Sequence, residues 1–331
     1  MPAMGSPVVT HTQFAILLHL IPYLGPVGIS HLLSEIPRGN PDDPIDLSLI
    51  RVWNMSADTL QREYKLHPQA AYCLSREKDK LLSSSSEITS TVRNLGIQVI
   101  ATIDPDYPSL IFEYYDSPPP ILYAYGNLAL LREKKFAIVN SSSMSNRSAE
   151  ISRELAGTLS DQGLVAVTSH NTHSYQVVSL AAKSRNAPVV LVLDRGILSA
   201  FPRGLDWEPV AQARIWNLRF DRSRDLVISS FRLYDHWIGA NGRERDKMVF
   251  GLADIVIAVD IRPDGVMQRE CLRARTKGRE VYVYKPSDGK LPDGNEKLLE
   301  KGCAPIPSEW AQSLLRTLEW SDIDVDLEEE F

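Results

Sequence analysis

The chain has 331 residues, carries a formal net charge of −6 and is 44% hydrophobic. That length accommodates one large α/β domain with a smaller appendage, and the apolar fraction is high enough for a sizeable core. No apolar run approaches the roughly 18 residues of a membrane span, and no basic segment precedes the first apolar stretch as in a signal peptide. The three cysteines are isolated, with no CxxC pair, so neither a disulfide framework nor a zinc site is indicated and we expect a cytoplasmic protein.

The negative charge is concentrated at the C-terminal end. Residues 319–331 contain seven carboxylates and no basic side chain, and the rest of the chain carries a net charge of +1. The acidity of the chain therefore does not argue against a nucleic-acid partner for the folded body. Self-repulsion within such a segment favours disorder. Two interpretations stay open: a solubility tail, or a competitor for a basic surface on this protein or on a partner.

In chain order, the first predicted elements are helices. Residues 12–35 contain two apolar helical stretches around the turn LGPVG (24–28), in which glycine permits positive φ. Such a pair looks like a helix-hairpin-helix, whose turn amides hold a DNA phosphate. A packing hairpin is the favoured alternative, because no lysine or arginine flanks the turn before Arg38. Helical patterns resume across residues 47–95, where we expect Ser83–Ser86 to interrupt them and cap a new helix.

Strands are predicted from residue 96 onward, first at 96–101 and then at 121–127. The core follows, over residues 134–202, where apolar runs alternate with helical periodicity. Its strands are predicted at 136–139, 164–167 and 189–193, and its first helix has Ile151, Leu155 and Leu159 at i, i+4 and i+8. Apolar strands separated by helices predict a doubly wound, mostly parallel, Rossmann-like α/β sheet covered on both faces. Any ligand is then expected at the carboxyl ends of the strands.

Several short motifs, taken in their order and spacing, resemble one protein family. They are Asp106-Tyr107-Pro108, Pro119-Pro120-Ile121-Leu122-Tyr123, Gly126-Asn127, Ala137-Ile138-Val139, VVLVLDRGILSAFP (189–202), Gly251-Leu252-Ala253-Asp254, Gly278-Arg279-Glu280-Val281-Tyr282 and Gly294-Asn295 with Gly302-Cys303-Ala304. Across roughly residues 12–306 the chain resembles the DprA/Smf family of bacterial DNA-processing proteins. The resemblance implies a Rossmann-like domain that binds single-stranded DNA without catalysis or a cofactor, delivers it to a recombinase or other partner, and forms a homodimer.

The loops that would hold phosphate or DNA depart from the family pattern. The glycine-serine-arginine that usually follows the first core strand is Asn140-Ser141-Ser142 here, although Ser145 stands where the family also has serine. In the next strand-end loop, residues 169–176, only Ser169 matches; larger residues replace both glycines, and His173 replaces the arginine. Because larger residues keep backbone amides away from a phosphate, mononucleotide binding is not expected.

Cationic side chains outside these loops are the candidates for nucleic-acid binding. The family's arginine-asparagine-arginine segment falls on Arg245-Asp246-Lys247, which keeps two cations with a carboxylate between them. Further along, Arg269, Arg273 and Lys277 recur at i, i+4 and i+8, so a helix would align them in one stripe. Such a stripe neutralises phosphates in a sequence-independent, salt-sensitive manner. An ordinary solvated helix face is the alternative.

A second arginine-rich segment spans residues 203–232, where six arginines alternate with tryptophan and phenylalanine. Arginine beside aromatic rings suits single-stranded nucleic acid, because bases stack on the rings and phosphates pair with the guanidinium groups. An amphipathic element packed on the sheet explains the same pattern and is the favoured interpretation.

Hydroxyl groups and histidines near the strand ends are the remaining candidates. Ser141, Ser145 and Ser169 form a candidate anion or ligand loop, although helix capping alone explains the serines that follow the first core strand. His170 and His173, considered with His236, lack metal-type spacing, so no catalytic role and no metal site are assigned to them.

The sequence therefore predicts three regions: a helical N-terminal domain (1–95), a DprA-like Rossmann domain (96–310) and a terminal helix with an acidic tail (311–331). As the resemblance implies, the favoured hypothesis is a non-enzymatic recombination accessory whose basic face binds single-stranded DNA. Its phosphate contacts would be Arg245, Lys247, Arg269, Arg273 and Lys277. The alternative is a scaffold subunit, in a phage-defence complex for example, that has lost nucleic-acid binding and binds protein partners. A sensor of a nucleotide-derived ligand is least favoured, because the phosphate-admitting glycines are missing.

Overall fold

The structure is a computed structural model of the chain, and it describes residues 7–286, 291–307 and 310. The predicted terminal helix and the acidic tail (319–331) lie outside these residues. Contacts divide the chain into two compact units. The first unit contains Met1–Tyr125, Arg195–Ser199 and Ile228–His236, and the second contains Gly126–Asp194, Ala200–Val227 and Trp237–Phe331.

Helices make up most of the first unit. They are α1 (His11–Leu20), α2 (Pro26–Leu33), α3 (Ala57–Tyr64), α4 (Pro68–Arg76), α5 (Lys78–Leu95) and α6 (Ser109–Tyr114), with 3-10 turns at Leu47–Leu49 and Arg51–Asn54. A short antiparallel pair joins β1 (Val8–Thr10) to β2 (Pro44–Asp46). The two helices predicted around the turn at residues 24–28 are confirmed as α1 and α2, and Pro26 begins α2, where its missing N–H costs nothing.

The predicted interruption at Ser83–Ser86 is wrong, because α5 runs through these residues without a break. Ser85 is fully buried; its hydroxyl donates to the carbonyl of Leu82 (3.0 Å) and lies 3.3 Å from Nε2 of Gln13 on α1. Because α1 packs along α5, tertiary contacts satisfy hydroxyls that would otherwise favour a helix end.

Nine strands form one sheet, in the order β11-β10-β9-β5-β6-β7-β8-β4-β3. Their bounds are β3 (Gln98–Ala101), β4 (Ile121–Gly126), β5 (Lys135–Asn140), β6 (Val165–Ser169), β7 (Val189–Val192), β8 (Leu226–Ser229), β9 (Ile255–Asp260), β10 (Glu280–Val283) and β11 (Ala304–Pro305). Neighbours among β5, β6 and β7 and among β5, β9, β10 and β11 pair in parallel, whereas β3 and β4 are antiparallel. The doubly wound, mostly parallel α/β fold predicted from the sequence is confirmed.

The predicted domain boundary near residue 95 coincides with the end of α5, where Gly96 adopts a left-handed conformation (φ 70°). The first compact unit nevertheless continues to Tyr125 and includes β3 and β4. These two strands pair with each other, and β3 also packs against the N-terminal helices α1 and α5.

Helices of the second unit form two groups. They are α7 (Asn146–Asp161), α8 (His173–Ser184), α10 (Ala211–Ile215), α11 (Asn241–Leu252), α12 (Val266–Thr276) and α13 (Asp293–Glu300), with a 3-10 turn at Leu128–Leu131, while the short helix α9 (Ile197–Ala200) belongs mostly to the first unit. α8 packs against α7 and α10, while α12 packs against α11 and α13. In a doubly wound sheet, connections that run in opposite directions lie on opposite faces, so these groups are the two helical layers. Among the described residues, no helix is both long and apolar enough to cross a membrane.

Candidate nucleic-acid interface

The strand order reverses between β5 and β9. The chain leaves β5 toward β6 and leaves β9 toward β10, so the crevice at the carboxyl ends of β5 and β9 is the topological switch point where such folds bind ligands. The pairing register shifts between Val139 and Asn140, and the amide of Ser141 then donates to the carbonyl of Asp260 (2.7 Å). The loop after β5 is thus drawn onto the end of β9.

A carboxylate of the protein itself lies at the N-terminus of α7, beside this crevice. Oδ2 of Asp260 accepts a hydrogen bond from Oγ of Ser148 (2.8 Å) and a longer one from the amide of Ser145 (3.4 Å). The hydroxyl of Ser145 caps the helix by accepting from the amide of Ser148 (3.1 Å). A helix N-terminus favours negative charge, and here the carboxylate of Asp260 provides that charge.

The serines predicted as an anion loop are engaged inside the protein. Ser141 is buried, and its Oγ accepts from the amide of Arg262 (2.8 Å), which joins the loop after β5 to the loop after β9. Ser145 caps α7. Ser169 is fully buried at the end of β6, and its Oγ lies 3.3 Å from Nη1 of Arg245. Capping and loop-to-loop contacts therefore account for Ser141 and Ser145.

Arg245, on α11, lies in a buried polar network at the end of β6. Its Nε donates to Oδ1 of Asp246 (2.7 Å), Nη1 donates to Oδ1 of Asn171, and the guanidinium lies 4.7 Å from the centre of the Tyr175 ring. Asn171 in turn donates to the carboxylate of Asp194, the residue after Leu193 at the end of β7. Arg245 is only 5% exposed, so its guanidinium holds the strand-end loops together and faces little solvent.

Burial also governs the titration of this network. The pKa of the Asp246 carboxyl is raised, first because burial disfavours its charged form, and the neighbouring Arg245 opposes that shift. The hydroxyl of Tyr175 donates to Oδ1 of Asp246 (3.0 Å), and burial raises the pKa of Tyr175 well above its ordinary value. Tyr175 therefore stays a hydrogen-bond donor at neutral pH, which favours a fixed geometry around Arg245.

The predicted stripe forms on α12. Gln268, Cys271 and Ala274 face the interior of the second unit. On the other side of the helix, Arg269 is exposed and Arg273 is half-buried. Lys277, also half-buried, is the C-cap residue and extends the same row by one turn. Three of the five predicted phosphate contacts thus share one surface.

The remaining two predicted contacts belong to α11, which packs against α12. Lys247 is half-buried, and Arg245 belongs to the network at the end of β6. Arg275 lies between Arg273 and Lys277 in the sequence but was not among the predicted contacts. It is exposed on α12, and its Nε donates to the carbonyl of Gly302 (2.9 Å), so it joins α12 to the segment before β11.

Part of the arginine-rich segment 203–232 packs inside the protein, whereas Trp216 of the same segment is exposed. The guanidinium groups of Arg203 and Arg214 lie 5.7 Å and 4.3 Å from the centre of the Trp207 ring. Lys183 of α8 forms a buried cluster in which its Nζ donates to Glu208 (2.8 Å) and Asp225 (3.1 Å). Because α10 packs on α8, the part of this segment around α10 belongs to the helical layer that does not contain α12.

The three histidines considered together in the sequence have separate surroundings. Nε2 of His170 lies 3.9 Å from Asp194, Nδ1 of His173 lies 3.1 Å from Nε2 of Gln212, and Nδ1 of His236 lies 3.2 Å from Oγ of Ser199. Within residues 7–286, 291–307 and 310, no three His, Cys, Asp or Glu side chains group in a way that could hold a metal ion.

The helix-hairpin-helix-like turn lies in the first unit. Gly28 packs closely on Leu24, since a Cβ added to it would come within 2.6 Å of a Leu24 methyl carbon and that side chain would have to shift. Tyr23 stacks on His67 with ring centres 4.7 Å apart, beside a cleft of about 410 Å³ whose lining includes both Lys65 and Glu63. These contacts favour the packing hairpin.

Sequence reasoning missed the groups that close the crevice. Asp260, Ser148, Asn171 and Asp194 were not among the predicted site residues. Asp194 carried a detectable signal, since a carboxylate directly after an apolar strand lies at the ligand edge of the sheet. The pairing of Asp260 with Ser148 carried none, because 112 residues separate the partners.

Known proteins are similar to this chain in sequence and in fold. The family described as DNA recombination-mediator protein A matches residues 98–318. DNA processing protein DprA of Streptococcus pneumoniae (strain ATCC BAA-255 / R6) is 26% identical over 208 residues, which are 62% of this chain and 70% of that protein. The X-ray structure of DNA processing protein A from Streptococcus pneumoniae has a TM-score of 0.66 at 18% identity, covering 93% of this chain and 98% of that chain. The Helicobacter pylori DNA processing protein A, described for its single-stranded DNA binding mode, has a TM-score of 0.51 at 19% identity, covering 67% and 96%.

Proposed function

The chain belongs to the DNA recombination-mediator protein A family, and on that premise we propose that it is a non-enzymatic recombination accessory that binds single-stranded DNA along α12. The Helicobacter pylori relative, described for its single-stranded DNA binding mode, supports the choice of ligand. The row Arg269, Arg273 and Lys277 is the observation that carries the proposal. It is the part of the predicted interface whose cations share one surface.

The physical basis of the proposed binding is charge rather than shape. Successive residues of the row lie four apart on a helix, roughly 6 Å along its axis, which is close to the spacing of phosphates in an extended single strand. Side chains that pair with phosphates release counterions from the strand, and this release makes binding independent of sequence and sensitive to salt. Lys247, on the neighbouring helix α11, is proposed as a fourth contact.

Arg245 is proposed to act on this interface indirectly. Its guanidinium already bonds to Asp246, Ser169 and Asn171, so it has little surface left for a phosphate. Its proposed role is to hold α11 against the loop after β6, which keeps Lys247 and α12 in place. Delivery of the strand to a recombinase, and a homodimer as the acting species, complete the proposal and rest on family membership alone.

The test is fluorescence anisotropy of the full-length protein with a labelled oligothymidine, titrated at several salt concentrations. We expect the Arg269/Arg273/Lys277→Ala variant to bind about tenfold or more weakly at low salt, and the slope of log K against log salt to fall by about 2, since each single-strand phosphate contact contributes about 0.7. The matched control is Arg62/Arg76/Lys80→Ala, which removes the same charge from exposed positions on α3, α4 and α5. Equal losses in both variants would mean that only net charge matters, and would contradict the proposal.

A scaffold subunit without nucleic-acid binding is the second candidate function. It is favoured by the closure of the crevice, where Asp260, Ser145 and Ser148 satisfy one another. It predicts no anisotropy change for the wild-type protein even at low salt. In that outcome the fold would serve protein contacts, and a protein partner would replace DNA as the ligand to be sought.

A further inference from the structure

The second unit has an apolar groove on the helical layer that does not contain α12. One face of α8 forms its floor with Val177, Leu180, Ala181 and Ser184, which recur at i, i+3, i+4 and i+7. Its volume is about 740 Å³, within the roughly 300–1,000 Å³ typical of ligand pockets. The wall opposite α8 comes from the end of α10 and the residues after it.

Two large apolar side chains on that wall are exposed to solvent. Ile215 is 78% exposed and Trp216 is 70% exposed, and both line the groove together with Leu218. Contiguous exposed apolar surface beside a concave site marks a place where another apolar surface binds. The rim of the groove carries positive charge from Arg153, and residues 211–219, which supply its opposite wall, contain two arginines and no carboxylate.

The same chain contains a segment of complementary chemistry. Within residues 319–331, Trp320, Ile323, Leu327 and Phe331 recur at i, i+3, i+7 and i+11, the spacing of the anchors of a helix that binds in a groove. The seven carboxylates between and around them complement a cationic rim. Apolar anchors alone would suit many grooves, but the combination with dense negative charge matches this one.

The segment can reach the groove. Trp310 lies against Tyr282 of β10, with ring centres 5.4 Å apart. α8 lies mainly over β6, three strand spacings from β10, or about 15 Å across the sheet, and the helical layer adds about 10 Å. The ten residues from 310 to 320 span up to about 33 Å when extended. No dimer is needed to bring the two surfaces together.

We propose that residues 319–331 of this chain bind in cis in the groove between α8 and α10, with Trp320, Ile323 and Leu327 inserted beside Ile215 and Trp216. Binding covers the exposed apolar wall and neutralises the rim. A partner of similar acidic, amphipathic chemistry would have to displace the segment. The groove is on the layer opposite the α12 row, so the proposal does not depend on DNA binding.

Hydrogen–deuterium exchange of the full-length protein tests it. In the wild type we expect peptides from 319–331 to exchange about tenfold or more slowly than a synthetic peptide of the same sequence. Ile215→Glu/Trp216→Glu should abolish that protection, because it puts two carboxylates beside the acidic segment. Leu49→Glu is the matched control, since Leu49 is 81% exposed in the first unit and lines no part of the groove, and it should leave protection intact.

The reciprocal change is Trp320→Ser/Leu327→Ser, which should speed exchange in peptides covering 211–218 by a similar factor. Neither residue is among those that line the groove, so the groove itself keeps its sequence in this variant. A segment that exchanges at the free-peptide rate in the wild type, or that stays protected when the groove is changed, would overturn the proposal. Protection that disappears on serial dilution would assign the bound segment to a second copy and overturn binding in cis.

Discussion

Replacing Asp260 by alanine tests whether this carboxylate occupies the position of an anion. The substitution removes a charged acceptor 2.8 Å from Oγ of Ser148 and 3.4 Å from the amide of Ser145, at the N-terminus of α7. A hydrogen bond to a charged group contributes roughly 1.5–3 kcal/mol, and charge at a helix N-terminus about 0.3–1 kcal/mol. Because Asp260 is half-buried, the lower values apply and sum to about 2 kcal/mol, or a fall in Tm of roughly 4–8 °C.

Sulfate distinguishes an anion site from a merely structural carboxylate. If Asp260 stands in for a phosphate, then sulfate should bind in the space that the Asp260→Ala variant opens, and at ten times its Kd it would return about 1.4 kcal/mol. Thermal unfolding is measured with sulfate and with chloride at equal ionic strength, for the wild type, Asp260→Ala and the control Asp264→Asn, which suits the left-handed backbone at that position (φ 57°). The Asp264 carboxylate forms an exposed ion pair with Lys297 (2.9 Å), so its loss should cost little. Sulfate that stabilises all three proteins equally would refute the reasoning.

Two further predictions concern buried charges elsewhere. Lys183→Met should lower the free energy of unfolding by about 3–5 kcal/mol in denaturant titrations, because it leaves Glu208 and Asp225 buried without their shared cation; a loss below about 1 kcal/mol would contradict the cluster's role. In the first unit, burial raises the pKa of Asp104 to about 6 and lowers the pKa of His19 to about 4. The contribution of Asp104 to the free energy of unfolding is present at low pH and decreases by about 3 kcal/mol as pH rises from 4 to 6. The contribution of His19 is present at neutral pH and decreases by about 3 kcal/mol as pH falls from 6.5 to 4. Asp104→Asn should therefore make the free energy of unfolding change with pH more positively than in the wild type between pH 4 and 6. His19→Gln should make the same slope more negative than in the wild type. Unchanged pH profiles would contradict the two pKa shifts.

The parts of the fold that could be predicted from the sequence are those that the local sequence of a single segment determines. The runs at 136–139, 164–167 and 189–193 became β5, β6 and β7, because a strand buried on both faces has to be apolar along its whole length. The prediction failed at Ser83–Ser86 because the partner of Ser85 is Gln13, some seventy residues earlier. A local preference for capping was outweighed by packing between α1 and α5, which local sequence does not show.

The candidate site likewise has one part that local sequence predicts and another part that it does not. The alignment of Arg269, Arg273 and Lys277 followed from helical spacing alone, and α12 provides it. The burial of Arg245 did not follow, because it depends on Asn171 after β6, Asp194 after β7 and Tyr175 on α8 coming together in space. Side chains brought together by the sheet can be predicted as a group, from their positions after strands, but their pairing requires the three-dimensional structure.

The closed crevice and the cationic row together constrain how this protein would bind DNA. A nucleotide pocket needs hydrogen-bond donors that are available to a bound anion. Here the donors of Ser148 and Ser145 at the helix N-terminus already bond to Asp260. Binding through α12 would then depend on backbone phosphates and not on bases, because arginine and lysine in a row neutralise charge without reading hydrogen-bond patterns. Free mononucleotides should accordingly fail to stabilise the protein at concentrations where oligothymidine binds, and homopolymers of equal length should bind with similar salt slopes. A strong preference for one base would place the contact in a pocket, and the α12 row could not account for it.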